Sequence, residues 1–174
     1  MNPQMPELPK SSSTSGNRPL VALMFRRATE EDLLQETAEH LSDVWLAPYW
    51  VKLSARQVRW QQIASELQQN GVRIVVAFGG AVDSDAAKIA AKTMLPVLAL
   101  PPVGRGRPLS RIAAGMHTSK EGAPVGMLAL GTAGARNAAL FSAAILALND
   151  RLIAAALRDY REQQTSQVLA SRLA

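Results

Sequence analysis

The stretch Ala90-Ala91-Lys92-Thr93-Met94-Leu95-Pro96-Val97-Leu98-Ala99-Leu100-Pro101 decides the fold. Its first residues close a helix, Pro96 turns the chain, and residues 97–100 form a short strand stopped by Pro101-Pro102. Four apolar residues in a row, without alternation, mark a strand covered on both faces, as in a parallel sheet flanked by helices.

Working towards the N-terminus, Ile74-Val75-Val76-Ala77 repeats the pattern and makes residues 73–78 a third strand. Gly79-Gly80 breaks it, and Ser84 or Asp85 opens a helix that ends near Thr93. Before it, a helix over 55–69 turns Val58, Ile63, Ala64 and Leu67 inward and stops at Asn70-Gly71. Pro48 resets the chain ahead of a second strand over 49–53. The first strand covers 20–25, and Thr29 caps a helix whose Glu30, Glu31 and Asp32 suit its positive end. That helix repeats Leu33, Leu34, Thr37, Ala38 and Leu41 on one face.

Towards the C-terminus, Gly104-Arg105-Gly106-Arg107-Pro108 forms a loop before a short helix over 110–116. A fifth strand covers 126–130, a helix 133–148, and a last helix runs from Arg151 to about Leu169. Strict alternation of strands and helices predicts an α/β fold: a three-layer, flavodoxin-like parallel sheet of order 2-1-3-4-5 with an extended C-terminal helix. Residues 1–18, rich in Pro and Ser, read as a flexible tail, and 19–174 as a single domain. Ligands in this architecture sit at the C-terminal strand ends.

Composition narrows the function classes. A chain of 174 residues with 48% hydrophobic residues supports one core. No apolar run approaches the roughly 18 to 20 residues that span a membrane. The chain contains no cysteine, which excludes disulfides, a thiolate nucleophile and Cys-ligated metals. The two histidines, His40 and His117, are too far apart in sequence to suggest a metal site. The net charge is +5, but the arginines are scattered and no aromatic-interleaved basic stripe occurs, so nucleic acid is not the expected partner. A cytoplasmic location is expected.

The opening stretch, together with Gly131-Thr132-Ala133-Gly134-Ala135-Arg136-Asn137-Ala138-Ala139 and the junction Leu146-Ala147-Leu148-Asn149-Asp150, resembles the aminoimidazole ribonucleotide carboxylase family. That family includes the N5-carboxyaminoimidazole ribonucleotide mutases of purine synthesis. The resemblance extends from about Leu20 to Leu169. It implies carboxyl transfer on an aminoimidazole without metal or organic cofactor, and a homo-octamer in which the last helix reaches a neighbour.

The three loops that carry the family's chemistry differ here. A Gly-Ser-x-Ser-Asp phosphate loop is replaced by Phe25-Arg26-Arg27-Ala28-Thr29. Phe25 is expected to obstruct backbone approach to a phosphate, while Arg26 and Arg27 either meet an anion or face solvent. A Ser-Ala-His-Arg loop becomes Ser54-Ala55-Arg56-Gln57, with Arg56 in the histidine position, where it stays protonated and is a poor acid or base. The third loop becomes Phe78-Gly79-Gly80-Ala81-Val82-Asp83-Ser84-Asp85-Ala86-Ala87, with Ser84 in the second histidine position. Asp83 and Asp85 read either as carboxylate bases or, with Ser84, as a helix-capping segment.

The candidate catalytic residues are therefore Arg56, Asp83 and Ser84, and the candidate substrate-binding residues are Arg26, Arg27, Thr29, Ser54, Arg56, Gly79 and Gly80. Two functions follow from the resemblance. One is a divergent carboxylase or mutase acting on an altered small anionic or nucleotide-like substrate, and not an efficient purine-pathway mutase. The other is a non-catalytic ligand-binding or assembly protein on the same scaffold. Phosphoreceiver chemistry is excluded by the lack of acids at the ends of strands one and three, and a nicotinamide site has little support because no strand is followed by Gly-x-Gly-x-x-Gly.

Overall fold

The structure is a computed structural model, and it describes residues 18–54, 57–79, 84–101 and 122–173. Five parallel strands form one sheet in the order β2-β1-β3-β4-β5: β1 (Arg18–Phe25), β2 (Leu46–Lys52), β3 (Ile74–Phe78), β4 (Val97–Leu100) and β5 (Gly126–Met127). The helices are α1 (Ala28–Ser42), α2 (Trp60–Gln69), α3 (Asp85–Ala90), α4 (Gly131–Ala147) and α5 (Arg151–Leu173). The expected fold class and strand order are the observed ones.

The alternating pleat of the strands builds two cores. Val21, Leu23 and Phe25 of β1 join Ile74, Val76 and Phe78 of β3 and the apolar faces of α1, α4 and α5. Ala22, Met24, Val75, Ala77 and Ala99 face the other way, onto α2 and α3. All five residues of β3 and all four of β4 are buried, which accounts for their unbroken apolar runs.

α4 packs closely on the sheet through small residues, with Gly134, Ala135, Ala138, Ala139 and Ala143 all buried. Gly134 is required there: a Cβ would overlap the Ala129 carbonyl oxygen and come within 2.7 Å of Leu100 Cδ1. On the same side, Thr37 of α1 and Ser142 of α4 are fully buried, and their hydroxyls have no hydrogen-bond partner among the described residues.

Several expected boundaries move. β2 starts at Leu46 and contains Pro48, which pairs with Val21 instead of resetting the chain. β2 is an edge strand, where a missing backbone N–H is tolerated. α2 starts at Trp60, five residues later than expected. The Ser54 hydroxyl donates to the Gln57 carbonyl (2.7 Å) and accepts from the Gln57 N–H (3.3 Å), a local turn that competes with helix. α3 ends at Ala90, short of Thr93, whose hydroxyl accepts the Leu95 N–H (3.1 Å) and shapes the turn into Pro96. Strand five is only two residues long, and α5 continues to Leu173. The expected helix over 110–116, the Gly104–Pro108 loop, His117 and residues 1–17 of the tail lie outside the described residues.

Candidate functional site

β1 lies between β2 and β3, so the turn after β1 is flanked by the turns after its two neighbours. Between β1 and β3 the chain reverses its direction of travel across the sheet, the point where α/β sheets open a crevice. Arg26, the first residue beyond β1, reaches both flanking turns. Its Nε and Nη2 donate to the Asp85 carboxylate at 2.5 and 2.7 Å, and its Nη1 donates to the Ser54 carbonyl at 2.6 Å. Its guanidinium also lies 5.9 Å from the centre of the Trp60 ring, at the start of α2.

The pair is partly screened from water, with side-chain exposures of 26% for Arg26 and 17% for Asp85. The hydrogen bond to Asp85 holds Arg26 above the ordinary arginine range, and partial burial opposes that shift. Arg26 is thus a fixed cation that does not exchange protons near neutrality.

The start of α1 carries a second internal carboxylate. Glu30 accepts from the backbone N–H of Arg26 (2.8 Å) and of Arg27 (3.3 Å). This is the returning half of a capping box, in which an acid three residues into the helix satisfies the donors ahead of it. Arg27, and not Thr29, is the N-cap, so the expected Thr29 cap is corrected; Thr29 is exposed in the first turn. Arg27 extends into solvent, with its Nε 3.7 Å from Glu30 Oε1.

Phe25 is the last residue of β1. Its side chain is buried in the core on the α1 side, edge-on to Trp50 with ring centres 6.0 Å apart, and the Lys52 ammonium lies 5.9 Å from its ring centre. Phe78 is buried in the same core.

Ser84 adopts the capping role left open by its sequence: its hydroxyl accepts the Ala87 N–H at 3.2 Å. Gly79 extends the ladder by donating to the Leu100 carbonyl at 3.2 Å. A Cβ on Gly79 would stand 2.8 Å from Ala86 Cβ and 2.9 Å from the Ser84 hydroxyl, so contact with α3 by itself accounts for a glycine there. Arg56, Gly80 and Asp83 lie outside the described residues.

The structure thus joins Arg26 and Ser54 and places Gly79 against Ser84. It leaves Arg27 and Thr29 on the outside of α1. Glu30 and Trp60 join this candidate cluster without having been singled out for it in the sequence, and Asp85, read there as a carboxylate base or a capping acid, enters it as the partner of Arg26. The available signal was opposite charges in the turns after two strands that the predicted order makes neighbours.

His40 stands apart from this cluster. It lies near the end of α1, with Nδ1 3.3 Å from Asp43 Oδ2, and its Nε2 accepts from Arg136 Nε of α4 at 3.4 Å. Among the described residues, no group of three His, Asp or Glu side chains is arranged to hold a metal ion. No described helix is long and apolar enough to cross a membrane. A groove of about 630 Å³ lies between α4 and α5, lined by Ala147, Ala154, Leu157, Arg158, Arg161 and Thr165 among others, and none of the described candidate site residues borders it.

Comparison with known proteins converges on one family. The AIR carboxylase family model matches residues 21–167. The N5-carboxyaminoimidazole ribonucleotide mutase of Escherichia coli is 33% identical over 162 residues, covering 90% of this chain and 94% of that protein. The corresponding mutase of Pseudomonas aeruginosa is 34% identical over 155 residues, covering 86% and 93%. The crystal structure of Treponema denticola PurE shares the fold, with a TM-score of 0.67 at 18% identity over 88% of this chain and 96% of that one. A family match from β1 to late α5, near-full-length relatives at a third identity and the shared sheet order all agree: the chain belongs to the AIR carboxylase family.

Proposed function

We propose that this protein is a divergent member of the family that handles a carboxyl group on an altered small anionic or nucleotide-like substrate, without metal or organic cofactor, and that it is not an efficient purine-pathway mutase. The observation that carries this reading is the Arg26–Asp85–Ser54 cluster at the ends of β1, β2 and β3. A guanidinium held there is suited to bind a carboxylate by paired N–H donors. It does not take up or release protons near neutrality, and the one described histidine is engaged with Asp43 and Arg136 elsewhere. Arg56, Gly80, Asp83 and Ser84 are the further candidates for completing the site.

The test is a coupled assay with N5-carboxyaminoimidazole ribonucleotide. The purified protein is expected to give no turnover above about 1% of an authentic mutase, the loss that follows when a proton-transfer residue worth roughly a hundredfold or more is missing. Turnover at ordinary enzyme rates would refute this reading.

A second reading, a non-catalytic assembly protein, is favoured by the C-terminal helix. From Arg161 to Ser171, α5 is almost wholly exposed, including Val168 and Leu169, and Leu148 and Leu152 are exposed at the α4–α5 junction. These surfaces suit a homo-oligomer, an octamer by family resemblance, in the cytoplasm. Light scattering that shows a clean monomer would remove the assembly reading.

A further inference from the structure

We propose that Pro48 and Lys52 are gatekeepers that close the open edge of the sheet to strand pairing with a second copy of this chain. The proposal concerns the β2 edge alone and does not depend on what the strand ends bind.

The two edges of the sheet differ. β5 is two residues long, too short to template a partner, whereas β2 runs for seven. Among the described residues β2 has a neighbouring strand, β1, on one side only. An edge of that length, with a row of unpaired N–H and C=O groups, ordinarily recruits another strand. Its middle, Tyr49-Trp50-Val51, is aromatic and β-branched and carries no charge, a composition that pairs readily.

The backbone shows which groups face outwards. In a strand, the N–H and C=O of one residue point to one side and those of the next residue to the other. The Leu53 N–H donates to the Phe25 carbonyl of β1 at 2.7 Å, so Leu53 faces the sheet. The register with β1 runs without a shift from Pro48 to Lys52. Tyr49 and Val51 therefore also bond inwards, and Pro48, Trp50 and Lys52 turn their backbone groups to the open side. Pro48 has no N–H to offer there, and its ring stands where the carbonyl of an incoming strand would approach. At the inward position of Tyr49 the same residue would have cost a ladder bond to β1.

The two residues block different registers. An antiparallel pair of copies centred on Trp50 sets each Pro48 opposite Lys52 of the other copy, and a donor is missing at both ends. A pair centred on Pro48 lacks both donors at its middle. A pair centred on Lys52 avoids Pro48, but it places like charges directly opposite one another, which is unfavourable. A proline and a lysine on either side of an uncharged apolar run are devices by which sheet edges stay single.

Amide hydrogen exchange on the full chain at neutral pH tests the geometry. Tyr49, Val51 and Leu53 should be protected, and Trp50 and Lys52 should exchange at least ~10-fold faster. Protection of Trp50 and Lys52 equal to that of Tyr49 and Val51 would show the edge already covered and overturn the proposal.

Self-association is read by sedimentation velocity over a concentration series, relative to the wild type's own species. Pro48→Val restores the missing donor and should give a species of twice that mass, with self-association at least ~10-fold tighter and the Trp50 and Lys52 amides slowed. Lys52→Thr removes the charge and should give a smaller increase. In Pro48→Val/Lys52→Pro the proline returns at another outward position, so the mass should fall back to that of the wild type. Pro48→Val at the wild-type mass throughout the series overturns the proposal. So does a doubled mass that Lys52→Pro does not reverse, because association then uses another surface. If circular dichroism shows Pro48→Val unfolded, Lys52→Thr decides, and an unchanged mass for it overturns the proposal.

Discussion

Breaking the Arg26–Asp85 pair should cost stability by an amount the structure allows to be bracketed. Arg26→Met keeps much of the apolar stem and removes the guanidinium. Three hydrogen bonds and the contact over Trp60 are lost, and the Asp85 carboxylate is left largely covered without its counter-charge. A fully exposed ion pair contributes about 0–1 kcal/mol, whereas breaking a fully buried one costs about 3–5 kcal/mol. At 26% and 17% exposure the pair lies between these limits, and discounting for solvent screening gives about 2–3 kcal/mol. For a chain of this length that is a fall in Tm of roughly 5–10 °C.

The assay is a double-mutant cycle in urea with Arg26→Met, Asp85→Ala and the double variant, followed by tryptophan fluorescence and circular dichroism. The coupling energy should be about 2 kcal/mol, and the cycle cancels the separate effect of removing an acid from the start of α3. The pH dependence has a definite sign. Arg26 is raised in the folded state, so its contribution is complete below the ordinary arginine range and fades only as pH rises through the raised value. The Arg26→Met penalty should therefore stay constant between about pH 6 and 9. A coupling below about 0.5 kcal/mol would refute the argument, because it would mean that water screens the pair as fully as an exposed one.

Other perturbations test the scaffold. Gly134→Ala should destabilise by more than about 3 kcal/mol, since the new methyl group has nowhere to go without moving α4 off the sheet; a Tm within a few degrees of wild type would contradict the close approach. Thr37→Val should stabilise by about 1 kcal/mol in chemical denaturation, because it removes a buried hydroxyl that has no partner among the described residues and preserves the volume. Ser84→Ala should cost about 1 kcal/mol through the lost cap; a large loss of any activity found, without that stability change, would assign Ser84 to chemistry instead.

The sheet was legible because its signal is redundant. β3 and β4 are buried on both faces and announce this in unbroken apolar runs, and the alternation with helices leaves few topologies. The edges were less legible. Pro48 reads as a breaker until β2 is known to be an edge strand, and the start of α2 depends on a serine turn whose competition with helix is a matter of side-chain geometry. The candidate site was legible in location and only partly in membership. Arg26 and Ser54 were expected at the strand ends and meet there. Asp85 reads equally well as a helix-capping acid, and its pairing with Arg26, 59 positions away, depends on β1 and β3 being neighbours. The sequence shows the size of Phe25 but not its direction, and the alternating pleat turns its ring into the core.

The position of Arg26 at the middle of three adjacent turns has a dynamic consequence. Loops at strand ends ordinarily open one at a time, each with its own small free energy. A side chain that grips the Ser54 carbonyl on one side and the Asp85 carboxylate on the other fastens the first turn to both of its neighbours. These turns should exchange their amide hydrogens as one cooperative unit, so a ligand that shifts any of them must work against all three.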